Sequence, residues 1–292
     1  MSDLRAEARR IFDAGVMAAD PYAAVAGALD EVTSPALIIA IGKAARRMAE
    51  AALDRFAQVP CLVVTNYENA SELDGALVLA AGHPVPDEKG LAAARAVIDA
   101  LHAAQGPVLA LISGGGSALL PAPAGDLSLA DKAEVNALLL GAGLDIGAMN
   151  LVRQQLSDLK GGGFLRHAAP HKVTALILSD VIGDDLSAVA SGPTTPPIGT
   201  AAQAIDILVS ADLWDRVPRA VQAHLQQATP PASLPDANNV LVGSNAQSVA
   251  ALADAAGACH VFAEPVEGDV ADAARLICEQ AKPGVNLWGG ET

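Results

Sequence analysis

Short, wholly apolar runs alternating with alanine-rich helical stretches leave this chain few architectures. ALIIAI, CLVVT, ALVLAAG, VLALI and KVTALILSD read as strands, the first at 36–41 and the last at 172–180. GKAARRMAEAALDRF and DEKGLAAARAVIDALHAA read as helices between them, the second with acids in its first turn as the helix dipole prefers. Helices are expected over 129–140, 145–159, 201–209 and 215–227. The alternation then resumes with strand 240–242, helix 245–256, strand 260–263, helix 270–280 and strand 285–288. Strands spaced by helices predict an α/β fold with a parallel sheet. The proline-rich ATPPASLPDANN before position 240 reads as a connection.

Composition narrows the function. Aromatic residues make up 3% of the 292 residues and the net charge is −15, which argues against nucleic acid or an anionic membrane as partner. Cys61, Cys259 and Cys278 stand far apart, without metal-ligand spacing, so a cytoplasmic protein without disulfides is expected. The N-terminus reads as an amphipathic helix rather than a signal peptide.

Chemistry concentrates where strands end. VLALISGGGSALLPAP runs a strand into Ser113, Gly114, Gly115, Gly116 and Ser117. The glycines either permit a tight turn or leave bare N–H donors for a phosphate at a helix N-terminus. The pattern is neither a dinucleotide fingerprint nor a Walker A loop. Lys43 follows the first strand at a helix start, where a cation is unfavourable, so it has either a positional role or a solvated one. Asp180 ends its strand, with Asp184 and Asp185 in the loop beyond; one of the three is expected to be a helix cap and at least one to serve a hard cation. Arg153, Ser157 and Lys160 fall at spacings of four and three and are expected to share one helix face, either for an anion or for solvent. His83, at another strand end and followed by Pro84 and Pro86, reads as a structural residue in a rigid turn. Ser244 is expected to be an N-cap, with Asn245 a base or ribose contact. Together these motifs indicate phosphate handling.

The motifs IGKAA, AGHPVPDEKG, LISGGGSALLPAP, NLVRQQLSDLKGG, LSDVIGDDLSAVASGPT, VGSNAQS and GGET occur in this order. The chain thereby resembles the type-2 glycerate kinases, which carry the MOFRL domain and often bear the label hydroxypyruvate reductase. The resemblance implies a Rossmann-like three-layer fold with helices on both faces of a parallel sheet. It implies transfer of phosphate from ATP to D-glycerate, giving 2-phosphoglycerate, with Mg2+. Lys43 matches the family's active-site lysine, 113–117 its phosphate loop, Asp180 and Asp184 its acidic motif for metal and hydroxyl activation, and Arg153 and Lys160 its basic, substrate-binding helix. Residues 1–237 correspond to the Rossmann-like domain. Residues 238–292 are either later units of that domain or the start of a C-terminal domain, which is expected to be largely missing. Gln155 and Ile182 depart from the family's usual histidine and proline. The alternatives are an NAD(P)H-dependent hydroxypyruvate reductase and a non-catalytic nucleotide-binding remnant. The expected partners are D-glycerate and ATP, with a homodimer left open.

Overall fold

The computed structural model describes residues 3–228 and 233–291. Chain order begins α1 (Leu4–Ala18), α2 (Pro21–Ala28), β1 (Leu37–Ile41), α3 (Ala45–Arg55), β2 (Cys61–Asn66), β3 (Ala76–Ala81), α4 (Glu88–Ala103), β4 (Val108–Ser113) and α5 (Gly116–Leu119). It continues α6 (Leu129–Gly141), α7 (Ile146–Gln155), α8 (Gly163–Ala168), β5 (Val173–Leu178), α9 (Ala201–Ser210), α10 (Arg219–Gln227), β6 (Ala237–Gly243) and α11 (Asn245–Ala256). The last elements are β7 (Cys259–Val261), β8 (Val266–Glu267), α12 (Val270–Gln280), β9 (Val285–Leu287) and β10 (Gly290–Glu291).

Six strands form one sheet in the order β3-β2-β1-β4-β5-β6, and every neighbouring pair is parallel. The expected α/β fold is therefore present. Strand side chains alternate between two cores. On one face Ile39, Ile41, Val64, Ala110 and Ile112 pack against Val97 and Leu101 of α4 and Phe164 of α8. On the other, Ile38, Ala40, Val63, Leu109 and Leu111 meet Val25 of α2 and Met48 and Ala52 of α3. Burial on both faces explains why these strands read as continuous apolar runs. Small alanines let the helices lie close, which compensates for the few aromatics. A third cluster, including Val135, Leu139, Val152, Leu208 and Val221, joins α6, α7, α9 and α10 into a helical annex.

Several boundaries differ from expectation. The helix expected over 145–159 stops at Gln155, because Ser157 turns to form an antiparallel bridge with Pro123. The helix expected from 215 begins at Arg219, after Pro218. β6 starts at Ala237, inside the proline-rich connection, since Ala237 to Asn239 pair with Val173 to Ala175 of β5. Within that connection, 229–232 lie outside the described residues. Near the C-terminus Gly290 and Glu291 pair with Val266 and Glu267, while Thr292 lies outside the described residues. Among the described residues no helix is long and apolar enough to cross a membrane.

Candidate active site

The glycine run lies at the C-terminal end of β4, and each glycine has its own steric reason. A Cβ on Gly114 would overlap the Asp180 carboxylate. Gly115 has φ +83°, and a Cβ there would lie 3.0 Å from the Lys43 side chain and 3.1 Å from the His83 ring. On Gly116 it would lie 2.7 Å from the Ala190 Cβ. The steric reading and the chemical one thus meet, because two of these glycines make room for ionisable side chains. No turn or loop hydrogen bond among the described residues uses the N–H of Gly115, Gly116 or Ser117, so these donors are open to a ligand. The expected helix dipole contributes little, because α5 is a single turn of four residues. The loop amides carry the donor chemistry instead.

Ser113 differs from expectation. It is buried, accepts from Ala44 N at 3.1 Å and donates to Ile41 O at 3.4 Å. Its hydroxyl therefore joins the ends of β1 and β4 and does not flank a phosphate. Ser117 keeps its place, with its Oγ 2.7 Å from Ser191 Oγ. Ser191 belongs to an unusual corner in which Ala190, Ser191 and Gly192 all have positive φ, at 51°, 62° and 64°. Gln154 Nε2 donates to Ser191 O at 3.1 Å, and the N–H groups of Gly161 and Gly162 donate to Ser191 O and Gly192 O. The corner thereby links the glycine loop to the segment that carries Lys160.

Lys43 is exposed at the end of β1, with its main chain fixed at both ends. Its N–H donates to Gly114 O at 2.9 Å, and its carbonyl accepts from Asn69 Nδ2 at 3.0 Å. The side chain passes over Gly115 beside His83. His83, read from the sequence as structural, therefore faces the loop.

The three aspartates separate. Asp180 follows a register slip between Ile177 and Leu178 in the β5–β6 pair, the kind of irregularity that re-aims side chains at sites, and lies against Gly114. Asp184 has φ +54°, and its Oδ1 is buried without a hydrogen-bond partner. Asp185 is the capping member, accepting from Ser187 N at 2.8 Å and Ser187 Oγ at 2.7 Å. It closes a turn, since no α-helix starts at Leu186. No cluster of three or more potential metal ligands occurs among the described residues.

Arg153 and Lys160 do not share a helix face, because α7 has ended before Ser157. They meet nonetheless. Both line a cavity of about 340 Å³ with Ser117, Asn136, Lys132 and the Pro84–Pro86 turn. Arg153 is held by Asn136 Oδ1 at 2.9 Å. Burial lowers the Lys160 ammonium to about 8, with Arg153 adding repulsion. Lys132 was not singled out from the sequence. Its signal was its position in the first turn of α6, where the dipole disfavours a cation just as it does at Lys43. Burial and repulsion from Lys160 hold Lys132 well below the ordinary lysine range, partly offset by Asp158.

A second cavity, about 640 Å³, is lined by Asp180, Ser117, Arg153, Ser187 and Asn150. Ser117 and Arg153 belong to both cavities, so a cation-lined space and a space beside the glycine loop adjoin there. A third, about 600 Å³, lies between α11 and the segment 261–265. Asn245 and Asp184 line it among Val249, Ala250 and Phe262. Ser244 is the N-cap of α11 as expected, accepting from Gln247 N at 3.3 Å.

Residues 7–226 match the domain of unknown function DUF4147. The chain is 34% identical to the glycerate 2-kinase of Pyrococcus horikoshii over 99% of its own length and 74% of that protein's. A protein of Agrobacterium vitis with a provisional hydroxypyruvate reductase name is 38% identical, over 97% of this chain and 69% of that one. The crystal structure of a glycerate kinase from Thermotoga maritima superposes with a TM-score of 0.89 at 30% identity, over 100% of this chain and 75% of that chain. The family that the motifs resemble is thus the one that whole-chain identity and fold both indicate, and the chain belongs to the glycerate 2-kinases.

Proposed function

We propose that this chain transfers the terminal phosphoryl group of ATP to the 2-hydroxyl of D-glycerate. The observation that carries this reading is the junction at Ser117 and Arg153, where the cavity beside the glycine loop adjoins the cation-lined one. A phosphoryl donor in the first and a small hydroxy acid in the second would face each other across that junction. Such transfers depend on positioning and charge neutralisation rather than on covalent chemistry by the protein.

In this reading the N–H groups of Gly114, Gly115, Gly116 and Ser117 bind phosphate oxygens, and Lys43 holds the transferred group. Arg153 and Lys160 bind the glycerate carboxylate. Asn245, beside the apolar cavity under α11, contacts the base or ribose. Asp180 and Asp184 would hold Mg2+, which supplies neutralisation of phosphate charge. The partnerless buried Oδ1 of Asp184 fits that use, as does the placement of Asp180 on the loop. A carboxylate here can also take up the hydroxyl proton. Residues 1–237 would form the nucleotide-binding unit, and 238–292 would complete its sheet and begin a second unit. Three free cysteines suit a reducing cytoplasm.

The reductase reading lacks support at the β1–α3 turn, where a dinucleotide's pyrophosphate would lie. Ser113 fills that turn: its Oγ would overlap a Cβ on Gly42, and it already caps Ala44 N. Incubation with ATP, Mg2+ and D-glycerate should yield ADP and 2-phosphoglycerate, while hydroxypyruvate with NADH should leave absorbance at the nicotinamide band unchanged. Loss of NADH without ADP formation would reverse the assignment. Binding of ATP and glycerate without turnover would favour a remnant. Lys43→Ala should lower turnover by about a hundredfold or more with unaltered melting, because the side chain is exposed. A wild-type rate would remove Lys43 from the mechanism.

A further inference from the structure

The cation-lined cavity contains a second lysine besides the buried Lys160, the half-buried Lys132. Lys132 Nζ donates to Pro121 O at 2.5 Å and to Leu156 O at 2.9 Å. These carbonyls come from the two segments that meet in the Pro123–Ser157 bridge. The same junction is fastened by Asp158 N to Ala122 O at 2.9 Å, Ala124 N to Leu156 O at 3.2 Å and Ser157 Oγ to Pro121 O at 3.3 Å. Arg153 lies three residues before Leu156 in sequence, and Lys160 four residues after it. One amine therefore holds the short stretch between the two proposed carboxylate ligands.

That stretch needs holding. α7 ends at Gln155, so helical hydrogen bonding does not define the spacing of Arg153 and Lys160. The ion pairs among the described residues are Arg46 and Arg47 with Glu50, and Arg275 with Asp272, all outside this cavity. Lys132, Lys160 and Arg153 thus line one space without a paired carboxylate, an arrangement that an incoming anion would balance. Asp158 acts on Lys132 from a distance and forms no salt bridge with it. A lysine kept merely for stability could be replaced at this junction by an apolar side chain, since backbone bonds already join the two segments.

We propose that Lys132 is a positioning residue for the acceptor: it fixes the Pro121–Leu156 junction so that Arg153 and Lys160 converge on one carboxylate. This rests on the placement of glycerate in the cation-lined cavity and adds to it the device that sets the ligand geometry. Lys132 bonds to Pro121 and Leu156 and not to the glycine loop or Lys43, so its loss should be felt chiefly on glycerate.

The test is the steady-state kinetics of Lys132→Met and Lys132→Arg with each substrate varied in turn. Lys132→Met keeps the length and removes the charge and both donors. It should raise KM for D-glycerate by about tenfold or more with KM for ATP within about twofold. Lys132→Arg keeps donors on a longer side chain. It should raise KM for glycerate by a smaller factor, again with KM for ATP unmoved. If the methionine variant fails to fold, the arginine variant alone decides. Lowered melting with both KM values unchanged would make Lys132 a structural staple and overturn the proposal, as would equal rises in both KM values. Arg153→Gln is the control for the underlying placement. A raised glycerate KM there, with none in the Lys132 variants, sinks the positioning role alone. If Arg153→Gln and the Lys132 variants all leave glycerate KM unmoved, the cavity is not the glycerate site.

Discussion

Gly114→Ala should abolish most kinase turnover while leaving a folded protein. The added methyl would overlap the Asp180 carboxylate. Asp180 is exposed at the end of β5, so it can swing away and relieve the clash without unfolding β4. That displacement moves the proposed metal-binding carboxylate off the loop by about the width of a methyl group, and misplacements of about 1 Å cost on the order of a hundredfold in rate. Gly115→Ala should be at least as severe, since it combines a crowded site with a backbone at φ +83°. Steady-state ADP release alongside thermal melting checks both. If Gly114→Ala keeps full activity, Asp180 and the glycine loop do not act together.

Lys160 gives the second large effect, through pH. Its ammonium releases its proton near 8 in the folded chain, whereas an unfolded lysine does so near 10.4. If the charged form binds the glycerate carboxylate, KM for glycerate should be flat below pH 8 and rise by about tenfold per unit above it. Arg153 remains charged throughout that range, so binding weakens rather than disappears. Lys160→Met should remove the break and raise the neutral-pH KM by about tenfold or more. The stability effect has the opposite sign. Between about pH 8 and 10 the unfolded chain holds the proton that the folded one has lost, so this group makes the fold more stable as pH rises. Lys160→Met should accordingly melt higher than the parent at neutral pH, because an unpaired buried charge has been replaced by an apolar side chain. Weaker binding together with higher melting identifies a functional charge. Lower melting would assign Lys160 to the framework.

The sheet was legible because its strands are buried on both faces. Ile38 and Ile39, adjacent in sequence, lie in opposite cores, as a strand covered on both faces requires. The placement of Asp180 and Lys43 just beyond strand ends, where open α/β sheets keep ligand groups, was legible from the apolar runs before them. The helix over 145–159 was misread because Leu156 and Leu159 continue its apolar spacing. What ends it is a bridge to Pro123, a contact that no local pattern contains. Arg153 and Lys160 were therefore paired for the wrong reason and still share a cavity. Lys132 went unnoticed because a lone lysine on a helix expected over 129–140 reads as an ordinary solvated side chain. The strands Val266–Glu267 and Gly290–Glu291 are too short for periodicity to register.

The left-handed corner at Ala190 and Ser191 has a consequence for any attempt to harden this protein. Side-chain-bearing residues in that conformation each cost about 1–3 kcal/mol, and glycine would remove the strain. Ser191 nevertheless keeps its hydroxyl on Ser117. A Ser191→Gly chain should therefore tolerate heat at least as well as its parent while aiming Ser117 less well. At this residue endurance and catalysis pull in opposite directions, and a screen that rewards endurance alone would select the poorer enzyme.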